Sequence, residues 1–367
     1  MTAAAKNGQH GSVLITGGAG FVGVNLAADL LANGERVRIL DSLARAGSER
    51  NIEWLQRHHP GQVDFVEADV RTPQAVAAAM RGVEHVVHLA AQVAVTGSLA
   101  NPLFDFDVNA FGTLNVLEAA RRASRAPSLI FTSTNKVYGA LDDLRVRADG
   151  QRYMPTTLRV RSHGIDESRN LDFHSPYGCS KGAAEQYVLD YSRSFGLRTT
   201  VFRMSCIYGP HQHGNEDQGW VAHMVRSALA GTPITIYGDG KQVRDVLFVE
   251  DLVDAFRQAR HQIDRLSGRA FNIGGGPGNT VSLLELIRQL EQLLERRIEL
   301  RFERWRVGDQ RYYVSDTGRF QSATGWQARI PVTAGVEALC EWLTSSELHP
   351  AQRRRAAQTG VQLGAPG

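Results

Sequence analysis

The sequence predicts an α/β fold: a doubly wound parallel sheet followed by a smaller α/β unit towards the C-terminus. Three observations predict it. Short apolar runs alternate with helical patterns over the first two-thirds of the chain. Those runs are almost continuously apolar, as strands covered on both faces are. A glycine-rich turn, Gly17-Gly18-Ala19-Gly20-Phe21-Val22-Gly23, joins the first run to the first helical pattern.

Val13-Leu-Ile-Thr16 reads as the first strand and Val22 to Leu31 as the first helix. Val37 to Leu40, Val63 to Val66 and Val86 to Leu89 read as the next three strands. Asn109 to Ala123 reads as a helix leading into the strand Leu129-Ile-Phe131. The polar segment from Ala140 to His174 reads as an insertion near the site. A helix follows from Tyr177 to about Phe195, then a strand from Thr199 to Arg203. Beyond Arg203 the pattern loosens, and Pro210 to Gly219 reads as a loop. Ser282 and Glu285 form a capping box for a helix with an apolar stripe at Leu286, Leu290, Leu293 and Leu294. Ile298 to Phe302 reads as a short strand and Thr333 to Leu343 as the closing helix.

Composition excludes several classes of function. A net charge of +3 over 367 residues gives no footprint for nucleic acid or an acidic membrane. No apolar run is long enough to span a bilayer, and residues 1–10 lack the apolar core of a signal peptide. Cys179, Cys206 and Cys340 lack metal-ligand spacing and read as reduced thiols of a cytoplasmic protein. His211, His213 and His223 do not form a metal set, so no metal is expected.

The glycine turn has the placement of a dinucleotide site. Gly17 permits the tight turn, Gly20 lets backbone approach a pyrophosphate, and Gly23 lets the helix pack closely on the sheet. The helix N-terminus, at Phe21 and Val22, offers free amides to the phosphates. Asp41, ending the second strand, suits the adenosine ribose hydroxyls and repels a 2′-phosphate, which favours NAD over NADP; Arg45 nearby weakens that preference. Asp69 and Val70 end the third strand, where they contact adenine or Asp69 caps the next helix. Leu89, Ala90 and Ala91 leave room for a cofactor, and Asn109 either braces that strand end or starts its own helix.

Tyr177 stands four residues before Lys181 at a helix start, which puts phenol and ammonium on one face. The positive charge is expected to lower the Tyr177 pKa, so that the phenolate takes a proton from a sugar hydroxyl as a hydride leaves the same carbon.

With these motifs the chain resembles the extended short-chain dehydrogenase/reductase family over roughly residues 11–345. The carriers are Gly17 to Gly23, Asp41, His88-Leu-Ala-Ala91, Thr132 to Gly139, Tyr177 with Lys181, and Tyr237-Gly-Asp-Gly-Lys-Gln-Val-Arg-Asp245. Within it the chain is similar to the CDP-paratose (CDP-tyvelose) 2-epimerases. That likeness rests on Ser133-Thr-Asn-Lys-Val-Tyr-Gly139, Gly164-Ile-Asp-Glu167, Asp172-Phe-His-Ser-Pro-Tyr-Gly-Cys-Ser-Lys181, Arg203-Met-Ser-Cys-Ile-Tyr-Gly-Pro210 and Glu216-Asp-Gln-Gly-Trp220. The resemblance implies a Rossmann-type NAD-binding domain (11–205 plus about 246–275), a nucleotide-sugar-binding domain (206–245 and 276–346), a disordered N-terminus (1–10) and a flexible tail (347–367). It implies Thr134, Tyr177 and Lys181 as catalytic residues, with Tyr177 and Lys181 also on the cofactor and Lys181 holding the nicotinamide ribose. Thr134, Asn135, Lys136, Cys206, Arg244 and Arg311 become candidates for the substrate side, the two arginines for its diphosphate. Lys136 either contacts substrate or braces its loop. Nucleotide-sugar 4,6-dehydratases carry Asp-Glu where this chain has Asn135-Lys136, which argues against dehydration. The implied activity is NAD-dependent epimerisation of a nucleotide-diphosphate sugar at C2 by a homodimer. A 4-epimerase, another enzyme of nucleotide sugars or heptoses, and a non-catalytic NAD-binding scaffold are the alternatives.

Overall fold

The computed structural model describes residues 12–306 and 308–346. The expected disorder of 1–10 and of 347–367 lies outside the described residues. Strands run in chain order as β1 (Val13–Thr16), β2 (Val37–Asp41), β3 (Val63–Glu67), β4 (His85–His88), β5 (Ser128–Thr134), β6 (Val146–Asp149), β7 (Arg152–Pro155), β8 (Thr199–Met204), β9 (Cys206–Tyr208), β10 (Ile234–Tyr237), β11 (Val243–Phe248), β12 (Arg269–Ile273), β13 (Thr280–Ser282), β14 (Leu300–Glu303) and β15 (Tyr312–Tyr313).

Seven of them form one parallel sheet in the order β12-β8-β5-β4-β1-β2-β3. Alternation along β1 explains why helices cover both faces. Val13 and Ile15 join a core with Leu26 and Leu30 of the Phe21–Ala32 helix, while Leu14 faces Val116, Leu117, Ala184 and Val188. The strand order reverses between β1 and β4. The crevice beyond their C-terminal ends is where open α/β sheets bind ligands.

Six of the remaining strands build two smaller sheets. β13, β11 and β15 form a sheet that β9 joins by pairing with β11, and β10 pairs with β14. Helices Trp220–Ala230, Leu283–Leu293 and Val332–Ser346 pack here around Val225, Leu286, Leu290 and Leu339. Ser282 and Glu285 form the expected reciprocal capping box.

Several boundaries differ from the sequence reading. The helix expected from Asn109 begins instead at Pro102, because the Asn101 side chain accepts the Phe104 amide, and a wide turn at Asp107–Phe111 carries it into Gly112–Arg121. The strand expected at Ile298 is Leu300–Glu303. The 140–174 segment holds the β6–β7 hairpin, which Arg152 ties to Glu285 at 2.6 Å. Among the described residues no helix is long and apolar enough to cross a membrane.

Candidate active site

The glycine turn lies at the reversal point. A Cβ on Gly17 would sit 2.6 Å from the Ala90 amide nitrogen, and one on Gly23 2.5 Å from the Gly18 Cα, so neither position admits a side chain. Gly20 caps the Phe21–Ala32 helix without a side-chain hydrogen bond, which leaves the N-terminal amides to an anion. Beside it Gly20, Phe21, Arg45, Asn51, His211 and His213 line a small cavity. Asp41 closes the far side, its carboxylate accepting the Ala19 amide at 3.0 Å and the Leu43 amide at 2.9 Å. Burial raises the Asp41 pKa, and these amide bonds oppose the rise. The bare backbone, open helix end and carboxylate at the second strand fit a dinucleotide.

The strand ends are held from below. His88 hydrogen-bonds Thr16 at 2.6 Å and Thr113 at 3.0 Å, and burial pulls its pKa down to about 3, so it is neutral. The Leu89 amide donates to Thr16 at 3.0 Å, placing Ala90 and Ala91 beside the glycine turn. Asn109 accepts the Gln92 amide at 2.9 Å and donates to the Gln92 carbonyl at 3.0 Å, which makes it a brace of the loop after β4. Asp69 accepts the Arg71 amide at 2.8 Å and pairs with its guanidinium. It does not cap the next helix, whose N-cap is Thr72. The Val70 carbonyl accepts from Asn115 at 3.0 Å.

Tyr177 and Lys181 enter on the Ser175–Phe195 helix, and Thr134 ends β5. All three are buried, and the Thr134 hydroxyl lies near enough to the Tyr177 phenol to act on its pKa. The Lys181 ammonium lies 4.2 Å from the centre of the Phe131 ring. The expected lowering of the Tyr177 pKa is corrected here. Burial pushes the phenol up to about 12; the Thr134 hydroxyl opposes this and the Asp105 charge adds to it. Burial likewise pulls Lys181 down to about 7, against the charges of Glu185 and Asp105. Desolvation outweighs the charge–charge effect that the four-residue spacing suggested.

Lys136, Arg244, Cys206 and Asp309 form a second cluster, one residue on from Asn135 and two from Thr134. Lys136 donates to the Gly308 carbonyl at 3.4 Å, and Arg244 pairs with Asp309 at 2.6 Å. The Cys206 thiol accepts from the Trp220 indole at 3.3 Å, and burial raises its pKa. Arg311 stands apart from these contacts, with its guanidinium 5.7 Å from both the Tyr153 and Trp305 rings. Among the described residues no cluster of His, Cys, Asp and Glu could hold a metal ion.

Sequence reasoning missed Asp105, Ser180 and Asp309. Asp105 was detectable from its spacing to Asn109, one helical turn apart. Asp309 touches Arg244 across 65 residues, and no local signal reports that.

Residues 13–274 match the family described as the NAD dependent epimerase/dehydratase family. A CDP-paratose 2-epimerase from Salmonella typhi is 42% identical over 342 residues, covering 91% of this chain and 99% of that protein. The structure of a Thermus thermophilus UDP-glucose 4-epimerase in complex with NAD is 31% identical, with TM-score 0.76, over 91% of this chain and 99% of that one. A Thermotoga maritima UDP-glucose 4-epimerase with UDP-glucose is 27% identical, with TM-score 0.78, over the same shares.

Proposed function

The chain belongs to the NAD dependent epimerase/dehydratase family of sugar-modifying enzymes, and from that premise we propose that it inverts C2 of a nucleotide-diphosphate sugar. One observation carries the reading. The wall beside Thr134 is Asn135-Lys136, and the one carboxylate in that cluster, Asp309, is tied to Arg244 at 2.6 Å. Among the described residues, positions 135 and 136 offer no carboxylate to deprotonate a carbon beside a ketone, which favours proton transfer at oxygen by Tyr177. The end-to-end likeness to CDP-paratose 2-epimerase supports C2 and cytidine.

Gly17 to Gly23, Asp41 and Leu89 to Ala91 would hold NAD, with Asp69 and Val70 towards adenine and Lys181 on the nicotinamide ribose. When bound, NAD supplies a hydride acceptor and a cationic ring. Tyr177 takes the proton of the sugar hydroxyl and later returns it. Thr134 hydrogen-bonds the reacting oxygen. Arg244 exchanges Asp309 for the diphosphate, with Lys136 beside it, and Arg311 is a second contact. Cys206 shapes the sugar pocket. Held by its nucleotide, the sugar turns its other face between the two transfers.

The test is a panel of nucleotide sugars, CDP-paratose first, incubated in deuterium oxide and followed by NMR. Inversion at C2 without deuterium at that carbon is expected. Deuterium there would overturn the hydride route, and inversion at C4 would make the enzyme a 4-epimerase.

The protein is proposed to act as a homodimer. Leu99, Leu103, Phe104, Phe106 and Phe111 are exposed on the consecutive helices 95–121, and Tyr187 and Phe195 are exposed on the Ser175–Phe195 helix. Leu103 alone is 78% exposed. A second copy would cover this apolar face. Wild type is expected at twice the chain mass by light scattering, and the double variant Leu103→Asp/Phe106→Asp at the chain mass; a monomeric wild type would refute it. The three free thiols fit a reducing cytoplasm.

A further inference from the structure

Behind the proposed reacting pair lies a carboxylate that the reaction does not touch. Asp105, on the short helix Pro102–Phe106, is fully buried. Its Oδ2 accepts from the Ser180 hydroxyl at 2.5 Å, and its Oδ1 accepts from the Asn109 amide at 3.2 Å. Burial raises the Asp105 pKa, and the hydrogen bonds from Ser180 and Asn109, one to each oxygen, favour the ionised form against that rise. Ser180 directly precedes Lys181. Asn109 also donates to the Ser180 oxygen at 3.0 Å and grips the Gln92 backbone. One buried carboxylate therefore links the catalytic helix to the loop after β4.

A buried carboxylate is costly unless a cation answers it. Lys181 is the cation whose charge acts on Asp105. The groups facing Lys181 are Asp105, Glu185 one turn along its own helix, Tyr177 one turn before it, and neutral His88 on β4. Glu185, the stronger of the two negative charges acting on Lys181, also pairs with Arg203 at 2.5 Å. Asp105 is the counter-charge that can be removed without unpairing Arg203.

We propose that Asp105 is a positioning residue, which fixes the catalytic helix through Ser180, ties it through Asn109 to the loop after β4, and presents a buried negative charge to Lys181. The inference rests on Tyr177 and Lys181 being the reacting pair, but its test does not need turnover. The chain has four lysines, Lys6, Lys136, Lys181 and Lys241, so protein labelled with carbon-13 at lysine Cε gives few signals, and Lys181→Met assigns the one in question. In the intact protein that signal should titrate near 7. Asp105→Asn keeps the shape and removes the charge. With its negative neighbour gone, Lys181 gives up its proton more readily, and the midpoint should fall by about one unit. The acid limb of the kcat profile should move down with it, because the Asp105 charge also holds the Tyr177 phenol up. A midpoint that stays within about 0.2 unit of wild type would overturn the electrostatic role.

Ser180→Ala provides a second arm that does not depend on Asp105→Asn folding. It keeps the charge and cuts the link to the helix, so kcat should fall about tenfold with the Lys181 midpoint in place. An unchanged kcat would overturn the positioning role. A wild type that turns over no nucleotide sugar would count against the proposed function, and the Lys181 midpoints would still decide the charge role of Asp105.

Discussion

Replacing Tyr177 by Phe is expected to lower kcat by about two to four orders of magnitude while NAD stays bound. The phenol is buried near Thr134, and phenylalanine fills the same space without the oxygen proposed to move the proton. Burial holds that phenol at about 12, so to act as the proposed base it must first release its own proton to solvent, a loss that the cationic ring of bound NAD would favour. The cradle expected to hold the cofactor, from Gly17 to Gly23 with Asp41, lies on other elements and is left intact. Lys136 and Arg244 are also untouched, so KM should change little. An equal fall in kcat and kcat/KM is the signature of an interaction made in the transition state. Steady-state kinetics together with NAD released on denaturation provide the check, and a variant that turns over at the wild-type rate would remove Tyr177 from the chemistry.

Those residues were legible because their signals are local. The glycine turn is read from a strand, four glycines and a helix within eleven residues of Val13. Tyr177 and Lys181 are read from one turn of helix. What the sequence hid depends on contacts far apart along the chain. The Tyr177 pKa is governed by how deeply the phenol is buried, which follows from packing and not from the spacing to Lys181. Arg244 reads as a free cation until the fold brings Asp309 to it. The start of the helix at Pro102 was missed because its cap, Asn101, precedes a stretch whose apolar side chains Leu103, Phe104 and Phe106 point outward, so the usual buried stripe is absent. The loosened pattern after Arg203 has a similar cause: the chain leaves the main sheet at β9 and returns to it at β12, spreading its strands over two sheets.

Beneath the site, Glu185→Ala is expected to cost about 3–5 kcal/mol of stability. Arg203 donates to Glu185 at 3.0 Å and 2.5 Å and to the Tyr138 hydroxyl at 2.9 Å, and both charged side chains are buried. Removing the carboxylate leaves a guanidinium in a dry interior with one neutral partner. The pair itself is not ideally made, since the second Glu185 oxygen has no hydrogen-bond partner. Replacing both members with Glu185→Leu/Arg203→Met should therefore recover most of the loss. Tyr138 keeps a partner in that variant, because its hydroxyl donates to Asn272 at 2.8 Å. Urea unfolding with NAD at saturation measures the differences. If the single variant lies within about 0.5 kcal/mol of wild type, the pair is not structural. If the double variant is as unstable as the single one, the cost comes from lost packing around the Tyr138–Asn272 contact and not from an unpaired charge.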